Sequence, residues 1–362
     1  MSRPAQLWKA LPRDQVQCVL CSHFCHLQPG ERGQCGVREN ICGELHTLVY
    51  DKIAALHLDP VEKKPLFHFL PGSTTLSLGT PGCNFHCTFC QNAHLSQVQA
   101  TGAPIPGQAI EPAQLVAEAL RVQARSLSYT YSEPTVFFEL MMDTAIQAQE
   151  KGLANILVSN GFQSLQCLQQ LGPLIQAANI DLKAFSNAFY ERLCGARLGP
   201  VLDNLVHMRT LGWHLELTTL LIPGLNDSDQ ELTEIASFIS THLGADTPWH
   251  ISRFYPCYQA QNIPPTPVAA LERACAIGKN LGLHFVYGGN IPNAGLEDTI
   301  CPGCGATVVE RRGFQVHNTH LAAGACQTCG QRICVTTIGQ NKGGTAKNTR
   351  VSSAQAVQSP GG

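Results

Sequence analysis

The sequence predicts an α/β protein, a partial (β/α) barrel flanked by small cysteine-rich metal-binding modules. The first observation behind this is the alternation of short apolar segments with longer amphipathic ones through the middle of the chain. Such alternation indicates βα units around a parallel sheet. Six or seven strands over roughly 225 residues favour a full or partial barrel over a small open sheet. The second observation is that most of the 17 cysteines fall into three groups.

Seven short segments have the apolar or β-branched composition of strands, and each ends at a turn-forming or polar residue. The predicted strands are Thr74–Leu78, Leu127–Tyr131, Ala154–Ser159, Asn179–Leu182, His214–Leu221, Trp249–Phe254 and His284–Val286. The predicted helices cover residues 111–125, 134–151, 163–170, 200–211, 228–243 and 266–281. In such barrels the functional residues gather at the carboxyl ends of the strands.

Composition narrows the class of protein. Hydrophobic residues make up 44% of the chain and charged residues 14%, which is enough apolar material for a large core. A formal net charge of −2 provides no basic field, so nucleic acid and anionic membranes are not expected partners. No apolar run is long enough to span a bilayer, and the N-terminal stretch lacks a signal-peptide core. We therefore expect a cytoplasmic protein, in which disulfides are rare and grouped cysteines indicate metal binding.

The central cysteine group consists of Cys83, Cys87 and Cys90, in a CxxxCxxC pattern directly after the first predicted strand of the barrel. A cubane iron–sulfur cluster needs four ligands, so three thiolates would leave one iron open. An open coordination position is where a metal centre performs chemistry. The alternative is a structural zinc site completed by His86 or His94.

This spacing and position resemble the radical SAM superfamily. The resemblance implies that the central cysteine group holds a [4Fe–4S] cluster and that S-adenosylmethionine (SAM) binds the open iron through its amino and carboxylate groups. It also implies that Phe89, the aromatic residue before the last cysteine, lies near the SAM adenine. An electron from the cluster then splits SAM into methionine and a 5′-deoxyadenosyl radical, which is cofactor chemistry that the protein must position and shield.

Further residues that follow predicted strands match the family. By resemblance, Glu133 binds the SAM amino group, and Ser159 and Asn160 contact its ribose or methionine. Asp181 and Lys183 resemble a motif of glycyl-radical-enzyme activases such as pyruvate formate-lyase activating enzyme, and Lys183 could meet the SAM carboxylate or a substrate. The residues alone also allow a helix-start carboxylate, an Asn-Gly turn and a strand-end ion pair at these places.

The similarity is closer to one subfamily, the AmmeMemoRadiSam-system radical SAM enzyme, and covers about residues 16–335. The segments that carry it are Asp59–Gly72, Leu221–Asn226, Pro248–Pro256 and Val286–Asn290. It implies Memo-type or AMMECR-type protein partners.

His250 and Arg253 lie at a predicted strand end. We expect them to bind substrate or the SAM carboxylate, and His250 could move a proton near neutral pH. A structural role for His250 is the alternative.

Two cysteine groups flank the predicted barrel. The C-terminal cysteine group forms two CxxC knuckles, each followed by glycine, with short predicted strands at Thr307–Glu310 and Gly313–His317 between them. Its members are Cys301, Cys304, Cys326 and Cys329. This pattern predicts a zinc ribbon, with a second iron–sulfur cluster or no metal as alternatives.

The N-terminal cysteine group has the pattern CxxCxxxC followed by one further cysteine. Its members are Cys18, Cys21, Cys25 and Cys35. It predicts zinc or an auxiliary [4Fe–4S] cluster that relays electrons, and His23, His26 or Cys42 could substitute as ligands.

The expected organisation has four parts: an N-terminal cysteine-rich module and lead-in (1–69), the barrel (70–295), a zinc-ribbon-like module (296–336) and a disordered tail (337–362). The expected function is hydrogen abstraction from a substrate, which the likeness to activases suggests is a protein or peptide. The expected electron donor is reduced flavodoxin or ferredoxin. Radical modification of a small molecule is one alternative, and a zinc-dependent binding module without catalysis is another.

Overall fold

The computed structural model describes residues 2–98, 104–291 and 295–336. The tail over residues 337–362, predicted to be disordered, lies outside the described residues. Among the residues described, none of the helices combines the length and apolar character that a membrane span requires.

The N-terminal part forms two small antiparallel sheets that the sequence analysis did not predict. Its strands are β1 (Arg3–Pro4), β2 (Trp8–Ala10), β3 (Val16–Cys18), β4 (His26–Leu27), β5 (Arg38–Ile41) and β6 (Glu44–Thr47). The strand orders are β1–β6–β5 and β2–β3–β4. Apolar residues of these sheets, such as Val16 and Leu45, belong to the same hydrophobic cluster as the central sheet. The N-terminal part therefore shares its core with the rest of the molecule.

The central sheet has eight strands in the order β14–β13–β12–β11–β10–β9–β8–β7. They are β7 (Ala55–Pro60), β8 (Thr74–Gly79), β9 (Ser126–Tyr129), β10 (Ala154–Ser159), β11 (Ala177–Asp181), β12 (His214–Leu221), β13 (Trp249–Arg253) and β14 (Val286–Gly289). β8 to β14 are parallel, and β7, a strand that was not predicted, pairs with β8 in the antiparallel sense. The described sheet is open, because β7 and β14 are its edges. The predicted barrel is therefore confirmed only as a parallel α/β sheet.

Helices connect the parallel strands. They are α1 (Ala93–Ser96), α2 (Pro112–Arg121), α3 (Phe138–Glu150), α4 (Leu165–Leu171), α5 (Asn187–Phe189), α6 (Leu198–Thr210), α7 (Asp229–Phe238) and α8 (Val268–Asn280). Each of the six predicted helices is present. Serine caps start two of them, since Ser164 Oγ accepts from the backbone N–H of Cys167 and Ser228 Oγ from that of Glu231.

The middle strands of the sheet are buried on both faces, as expected of a parallel sheet covered by helices. In a parallel sheet all carboxyl ends lie at one edge. The loops that follow β8 to β14 therefore open on the same side of the molecule, and this edge carries the candidate site.

The C-terminal part contains the predicted antiparallel hairpin. Its strands are β15 (Thr299–Ile300), β16 (Thr307–Arg312), β17 (Gln315–Thr319), β18 (Leu321–Ala322) and β19 (Ala325–Cys326). Cys301, Val308 and Cys326 pack against Phe67 and Tyr287 in a separate hydrophobic cluster. The module thus rests on the last strand of the sheet and on the loop that joins β7 to β8.

A buried carboxylate joins that loop to the sheet. Glu216 on β12 is fully buried and accepts hydrogen bonds from the backbone N–H groups of Phe67 (3.0 Å) and His68 (2.8 Å). Its oxygens also lie 2.9 Å from His214 Nε2 and 2.6 Å from His250 Nε2. Burial opposes ionisation, but the hydrogen bonds from the two imidazoles prevail and hold the pKa of Glu216 well below its usual range.

Candidate active site and cysteine centres

A cavity of about 570 Å³ opens at the carboxyl edge of the sheet, within the usual size range of a small-molecule site. Each of the seven parallel strands contributes lining residues, either directly or through the loop that follows it. The lining includes all nine residues that the sequence analysis assigned to the cluster and to SAM: Cys83, Cys87, Cys90, Phe89, Glu133, Ser159, Asn160, Asp181 and Lys183.

The central cysteine group lies on the loop after β8. The backbone N–H of Phe85 donates to Cys83 Sγ at 3.3 Å, and Cys90 Sγ lies 3.2 Å from Ser96 Oγ. N–H and O–H donors of this kind stabilise thiolates and tune a bound cluster. The loop therefore presents three supported sulfur ligands to one cavity.

Cys194 is a functional candidate that lies outside the three cysteine groups recognised in the sequence. It lies in the π-helical turn Tyr190–Cys194, and its carbonyl accepts from the backbone N–H of His86 at 2.8 Å. A hydrogen bond from the Cys194 thiol lowers the pKa of Cys87. No motif marks Cys194 in the sequence, because it approaches the loop only through the fold.

Glu133 is a buried carboxylate with a single charge and several neutral donors. One oxygen accepts from the backbone N–H of Thr135 (3.0 Å) and from Ser159 Oγ (2.8 Å), and the other accepts from the backbone N–H of Asn160 (2.9 Å). Burial raises the pKa of Glu133 above its ordinary value, and these donors oppose that rise. Among the described residues Glu133 has no ion-pair partner, although it lines the cavity.

Asn160 links this carboxylate to the cysteine loop. Its side-chain amide donates to Asn84 Oδ1 at 2.7 Å and lies 3.9 Å from Cys83 Sγ. The end of β10 is therefore more than an Asn-Gly turn, because it connects Glu133 with the residue that follows Cys83.

Asp181 and Lys183 form an ion pair of 2.9 Å at the end of β11. Burial opposes protonation, but the carboxylate of Asp181 and the neighbouring sulfur of Cys87 raise the pKa of Lys183 well above its usual range. Lys183 is therefore a cation beside the central cysteine group. The sequence allowed a strand-end ion pair at this place, and the structure contains it. The structure also places Lys183 close to Cys87.

These residues fit the cluster and SAM that the resemblance implies. An ammonium group would give Glu133 the cationic partner that a buried carboxylate requires. The central sulfurs are not among the described ligand groups whose atoms all lie within 4.8 Å of one another. That suits a cubane, in which each cysteine binds a different iron, better than a single shared ion. Phe89 is 3% exposed and packs on Phe189, so the ring is held firmly at the cavity wall.

Several lining residues were missed by the sequence analysis. Tyr131 has a left-handed backbone (φ 69°), which is rare for a bulky residue and typical of functional sites. Its hydroxyl donates to Asp59 (2.6 Å), which also pairs with Lys64 (2.7 Å) and Lys63 (2.9 Å). These hydrogen bonds outweigh burial and hold the pKa of Asp59 well below its usual range. Asp59 and the two lysines belong to a segment quoted for the family resemblance, but no residue role had been attached to them.

The C-terminal module also reaches the cavity. Phe314, at the turn between β16 and β17, lines the cavity and is 46% exposed. Tyr255 and Tyr258 are exposed aromatic residues of the loop after β13, and the Tyr255 hydroxyl lies 3.4 Å from the carbonyl of Asn290, another lining residue. An exposed aromatic residue of the C-terminal module therefore lines the cavity, and the loop after β13, here called the rim loop, contacts the lining at Asn290.

His250 and Arg253 do not line the cavity. His250 is 3% exposed, with Nε2 on Glu216 and its ring stacked on Tyr287. Arg253 donates from Nε to the carbonyl of Thr266 at 2.7 Å, and its guanidinium lies over the Tyr255 ring. These positions favour a structural role for His250 and a role for Arg253 in holding the rim loop.

The C-terminal cysteine group converges to single-ion spacing. Its four Sγ atoms all lie within 4.8 Å of one another. Cys301 and Cys329 are 3.6 Å apart, and Cys304 and Cys326 are 3.8 Å apart. A tetrahedron with metal–sulfur bonds of about 2.3 Å has edges of about 3.8 Å. A hydrogen bond from the backbone N–H of Cys329 helps to lower the pKa of Cys326 to about 6, which favours the thiolate that binds metal.

The N-terminal cysteine group also converges, but more loosely. Each of Cys21, Cys25 and Cys35 has its pKa raised first by burial and then by neighbouring thiols of the same group. The four sulfurs are nevertheless not among the described groups with single-ion spacing. In this respect the group resembles the central cysteine group and differs from the C-terminal one.

The chain is similar to several known proteins. A family model described as the radical SAM superfamily matches residues 77–238. An uncharacterized protein of Methanocaldococcus jannaschii is 40% identical over 333 residues, which cover 91% of this chain and 98% of that protein. A second protein of that organism, provisionally named a glycyl-radical enzyme activating enzyme, is 27% identical over 186 residues, 50% of this chain and 68% of that protein. The chain therefore contains a radical SAM superfamily domain and is related to the glycyl-radical activating enzymes.

A solved structure is also similar. It is a domain of pyruvate-formate lyase-activating enzyme from Bacteroides vulgatus, with 15% identity and a TM-score of 0.40, and the match covers 46% of this chain and 99% of that one.

Proposed function

We propose that this chain binds a [4Fe–4S] cluster on the central cysteine group with SAM beside it, and abstracts hydrogen from a protein or peptide substrate. The observation that carries the proposal is that all nine residues named for cluster and SAM from the sequence line one cavity. Family membership supports an enzyme over the non-catalytic zinc-dependent alternative.

When bound, the cluster and SAM supply the one-electron cleavage that produces a 5′-deoxyadenosyl radical. The role of Glu133 is to hold the SAM ammonium group, for which its uncompensated charge is suited. The donors Ser159 and Asn160 fix the orientation of that carboxylate, so the ammonium would meet a preorganised partner.

Lys183 supplies the complementary charge beside the cysteine loop. Its ammonium lies against Asp181 and is available to the SAM carboxylate or to an acidic group of the substrate. Phe89 and Tyr131 cover the walls of the cavity, and their rings exclude water from the reacting groups.

Exposed aromatic residues at and near the cavity support a macromolecular substrate. Exposed Phe, Tyr and Trp side chains are enriched where proteins bind other proteins. Phe314 lines the cavity and Tyr255 lies against the lining residue Asn290, and a peptide loop carrying the reacting carbon would enter beside them. The Memo-type and AMMECR-type partners of the AmmeMemoRadiSam resemblance remain predictions, as do a reduced flavodoxin or ferredoxin as donor and a cytoplasmic location.

The C-terminal cysteine group is proposed to hold zinc. Four sulfur ligands at the edge length of a tetrahedron support one ion with no open position, which is the arrangement of a structural site. Its role would be to hold the hairpin that carries Phe314 at the cavity mouth.

Anaerobic reconstitution followed by dithionite reduction and an assay for 5′-deoxyadenosine tests the proposal. We expect SAM-dependent product and a change in the electron paramagnetic resonance (EPR) signal of the reduced cluster when SAM is added. Replacing Cys87 with Ala should abolish both, while Cys275→Ala, a cysteine of α8 outside the three groups, serves as the matched control. Absence of product and of a SAM-induced EPR change in the reconstituted wild type would reject the proposal.

A further inference from the structure

The N-terminal cysteine group is assembled by local backbone pairing. Antiparallel pairing of β3 with β4 places the Cys18 N–H 2.9 Å from the carbonyl of Cys25. The turn that precedes Cys35 packs against the sulfur of Cys25, since a Cβ built on Gly33 would lie 3.6 Å from Cys25 Sγ. Cys21 lies between Cys18 and Cys25, on the short loop that joins the two strands.

A buried guanidinium supports this group. Arg38 is 1% exposed, and its Nη1 lies 3.8 Å from Cys18 Sγ. Its Nη2 donates to Glu139 on α3 (2.6 Å) and to the carbonyl of Gln6 (2.6 Å). An N–H donor at a cysteine sulfur is one of the interactions by which proteins tune iron–sulfur clusters.

We propose that the N-terminal cysteine group holds a second [4Fe–4S] cluster, which passes electrons to the centre on the central cysteine group. The inference rests on the proposed function for the destination of the electron. Four cysteines without single-ion spacing fit a cluster whose irons each take one ligand, and they leave no open position for chemistry.

The first contact between the two cysteine groups passes through His23. This residue is two positions from Cys21, and its Nε2–H donates to the carbonyl of Asn84 at 2.7 Å. Asn84 follows Cys83 directly. The path from Cys21 to Cys83 therefore runs two residues along the backbone to His23, crosses one hydrogen bond to Asn84, and continues one residue along the backbone to Cys83.

The second contact passes through Cys35 itself. Gly82, which precedes Cys83, has φ +104°, and a Cβ built on it would lie 3.1 Å from the carbonyl oxygen of Cys35 and 2.6 Å from Val37 Cγ1. Only glycine permits this approach. The N-terminal part thus touches the central loop on both sides of Cys83, as expected if the two centres exchange electrons.

The proposed electron transfer needs one external electron donor. A reduced flavodoxin or ferredoxin loses one electron to the centre on the N-terminal cysteine group, which becomes reduced. That centre then loses the electron to the one on the central cysteine group and returns to its oxidised state. The relay moves no proton and breaks no bond.

Metal analysis of the triple variant Cys83→Ala, Cys87→Ala, Cys90→Ala tests the site without any SAM chemistry. We expect wild type to hold about eight irons and eight sulfides per chain, and the triple variant to retain about four of each with a [4Fe–4S] EPR signal after reduction. A triple variant with a second zinc and no iron would overturn the proposal. So would a triple variant that stays folded by circular dichroism but holds no metal beyond the C-terminal site.

The relay is tested by His23→Phe, which removes the donor but keeps a ring against Phe162. Photoreduced flavodoxin should reduce the cluster on the central cysteine group about tenfold more slowly, as measured by freeze-quench EPR. This is the lower end of the losses seen when hydrogen bonds around a metal site are removed. His23→Gln, which keeps an N–H donor, should recover most of the rate, and both variants should retain wild-type iron. An unchanged flavodoxin rate in His23→Phe would overturn the relay.

These experiments separate the two proposals. Dithionite is a small reductant that does not need the relay, so dithionite-driven formation of 5′-deoxyadenosine should persist in His23→Phe. Failure of that assay in wild type would count against the proposed function. Iron retained by the triple variant would still support the second cluster.

Discussion

The two flanking cysteine groups have the same number of ligands but different spacing. In the C-terminal group the sulfurs stand 3.6 and 3.8 Å apart across its two pairs, close to the edge of a zinc–sulfur tetrahedron. The N-terminal sulfurs influence one another but do not reach such spacing in the described structure. Four grouped cysteines therefore do not define a metal by themselves, and the wider spacing of the N-terminal sulfurs is the observation that supports the proposed cluster there.

The two flanking cysteine groups also differ in how far they are exposed to solvent. The C-terminal knuckles end in glycine turns at the surface, where Cys304 and Cys329 are exposed. The N-terminal group is enclosed between the first sheets and the central loop, with Arg38 at one sulfur and His23 bonded to Asn84. The first arrangement suits a structural ion, and the second suits exchange of electrons with the cavity.

The largest expected effect is a crossed loss of metals. Replacing Cys329 with Ser should remove most of the zinc, from about one ion per chain, because a tetrahedral site loses one of four ligands. Replacing Cys21 with Ser should lower iron and leave zinc unchanged. Elemental analysis of the two purified variants measures both metals together, and Cys334→Ser, an exposed cysteine near the C-terminal group, is the control. Loss of the same metal from both variants would remove the distinction between the groups.

Much of this difference could not be read from the sequence. Cysteine spacing predicted that each group binds metal, because ligands close along the chain need only a turn to converge. It did not separate zinc from a cluster in the N-terminal group. That choice depends on the contact of Cys35 with Gly82, which joins residues about 50 positions apart and leaves no local pattern.

The cavity was predicted more completely than the modules around it. Hydrophobic periodicity predicted the strand ends after which Glu133, Asn160 and Lys183 lie, and the family resemblance implied their roles. Lys64 and Phe314 were not assigned to the site, because tertiary contacts alone bring them there, whereas Tyr131 ends a predicted strand to which no site role had been given. His250 illustrates the opposite case. It lies on the expected strand, but Glu216 holds its side chain in the interior.

A second prediction distinguishes the central cysteine group from the N-terminal cysteine group, in both of which the sulfur atoms of the described structure lie too far apart for a single ion. The central group differs from the N-terminal one in having three thiols and a buried carboxylate without a cation. Glu133→Gln should weaken SAM binding by roughly ten- to a hundredfold, since a hydrogen bond to a charged group contributes about 1.5–3 kcal/mol. Equilibrium binding of SAM to the reconstituted protein measures this. Glu62→Gln, a buried carboxyl outside the cavity lining, is the control, and equal affinity in wild type and Glu133→Gln would exclude the assigned role.

A third prediction concerns how the C-terminal module is anchored. Burial lowers the pKa of His68 to about 3, and its ring nitrogens lie 2.6 Å from the Tyr287 hydroxyl and 3.3 Å from the carbonyl of Cys334. The unfolded chain binds a proton here below about pH 6.5, whereas the folded chain does not. This histidine should therefore lower the free energy of unfolding by at most about 1.4 kcal/mol per pH unit as pH falls from about 6.5.

Urea unfolding between pH 7 and 5 measures that slope. His68→Gln cannot gain a proton and should flatten the slope, while His320→Gln, an exposed residue of the same module, should leave it unchanged. The range stays above the pH at which Glu216 would contribute, because the depressed pKa of that carboxyl affects stability only below its unfolded value of about 4.3. If His68→Gln leaves the slope unchanged, His68 is not the source of the pH dependence of the free energy of unfolding.

The smallest expected effect tests whether the C-terminal module does more than bind an ion. Phe314 is the residue through which this module lines the cavity. Aromatic contacts contribute about 0.5–1.5 kcal/mol, so Phe314→Ala should weaken SAM binding about two- to twelvefold. Ile300→Ala, an exposed apolar residue of β15 outside the lining, should not change it. If Cys329→Ser weakens SAM binding to the same extent as Phe314→Ala, the ion acts on the cavity through the position of this ring. If Phe314→Ala binds SAM as wild type does, the tight cysteine site serves the fold alone.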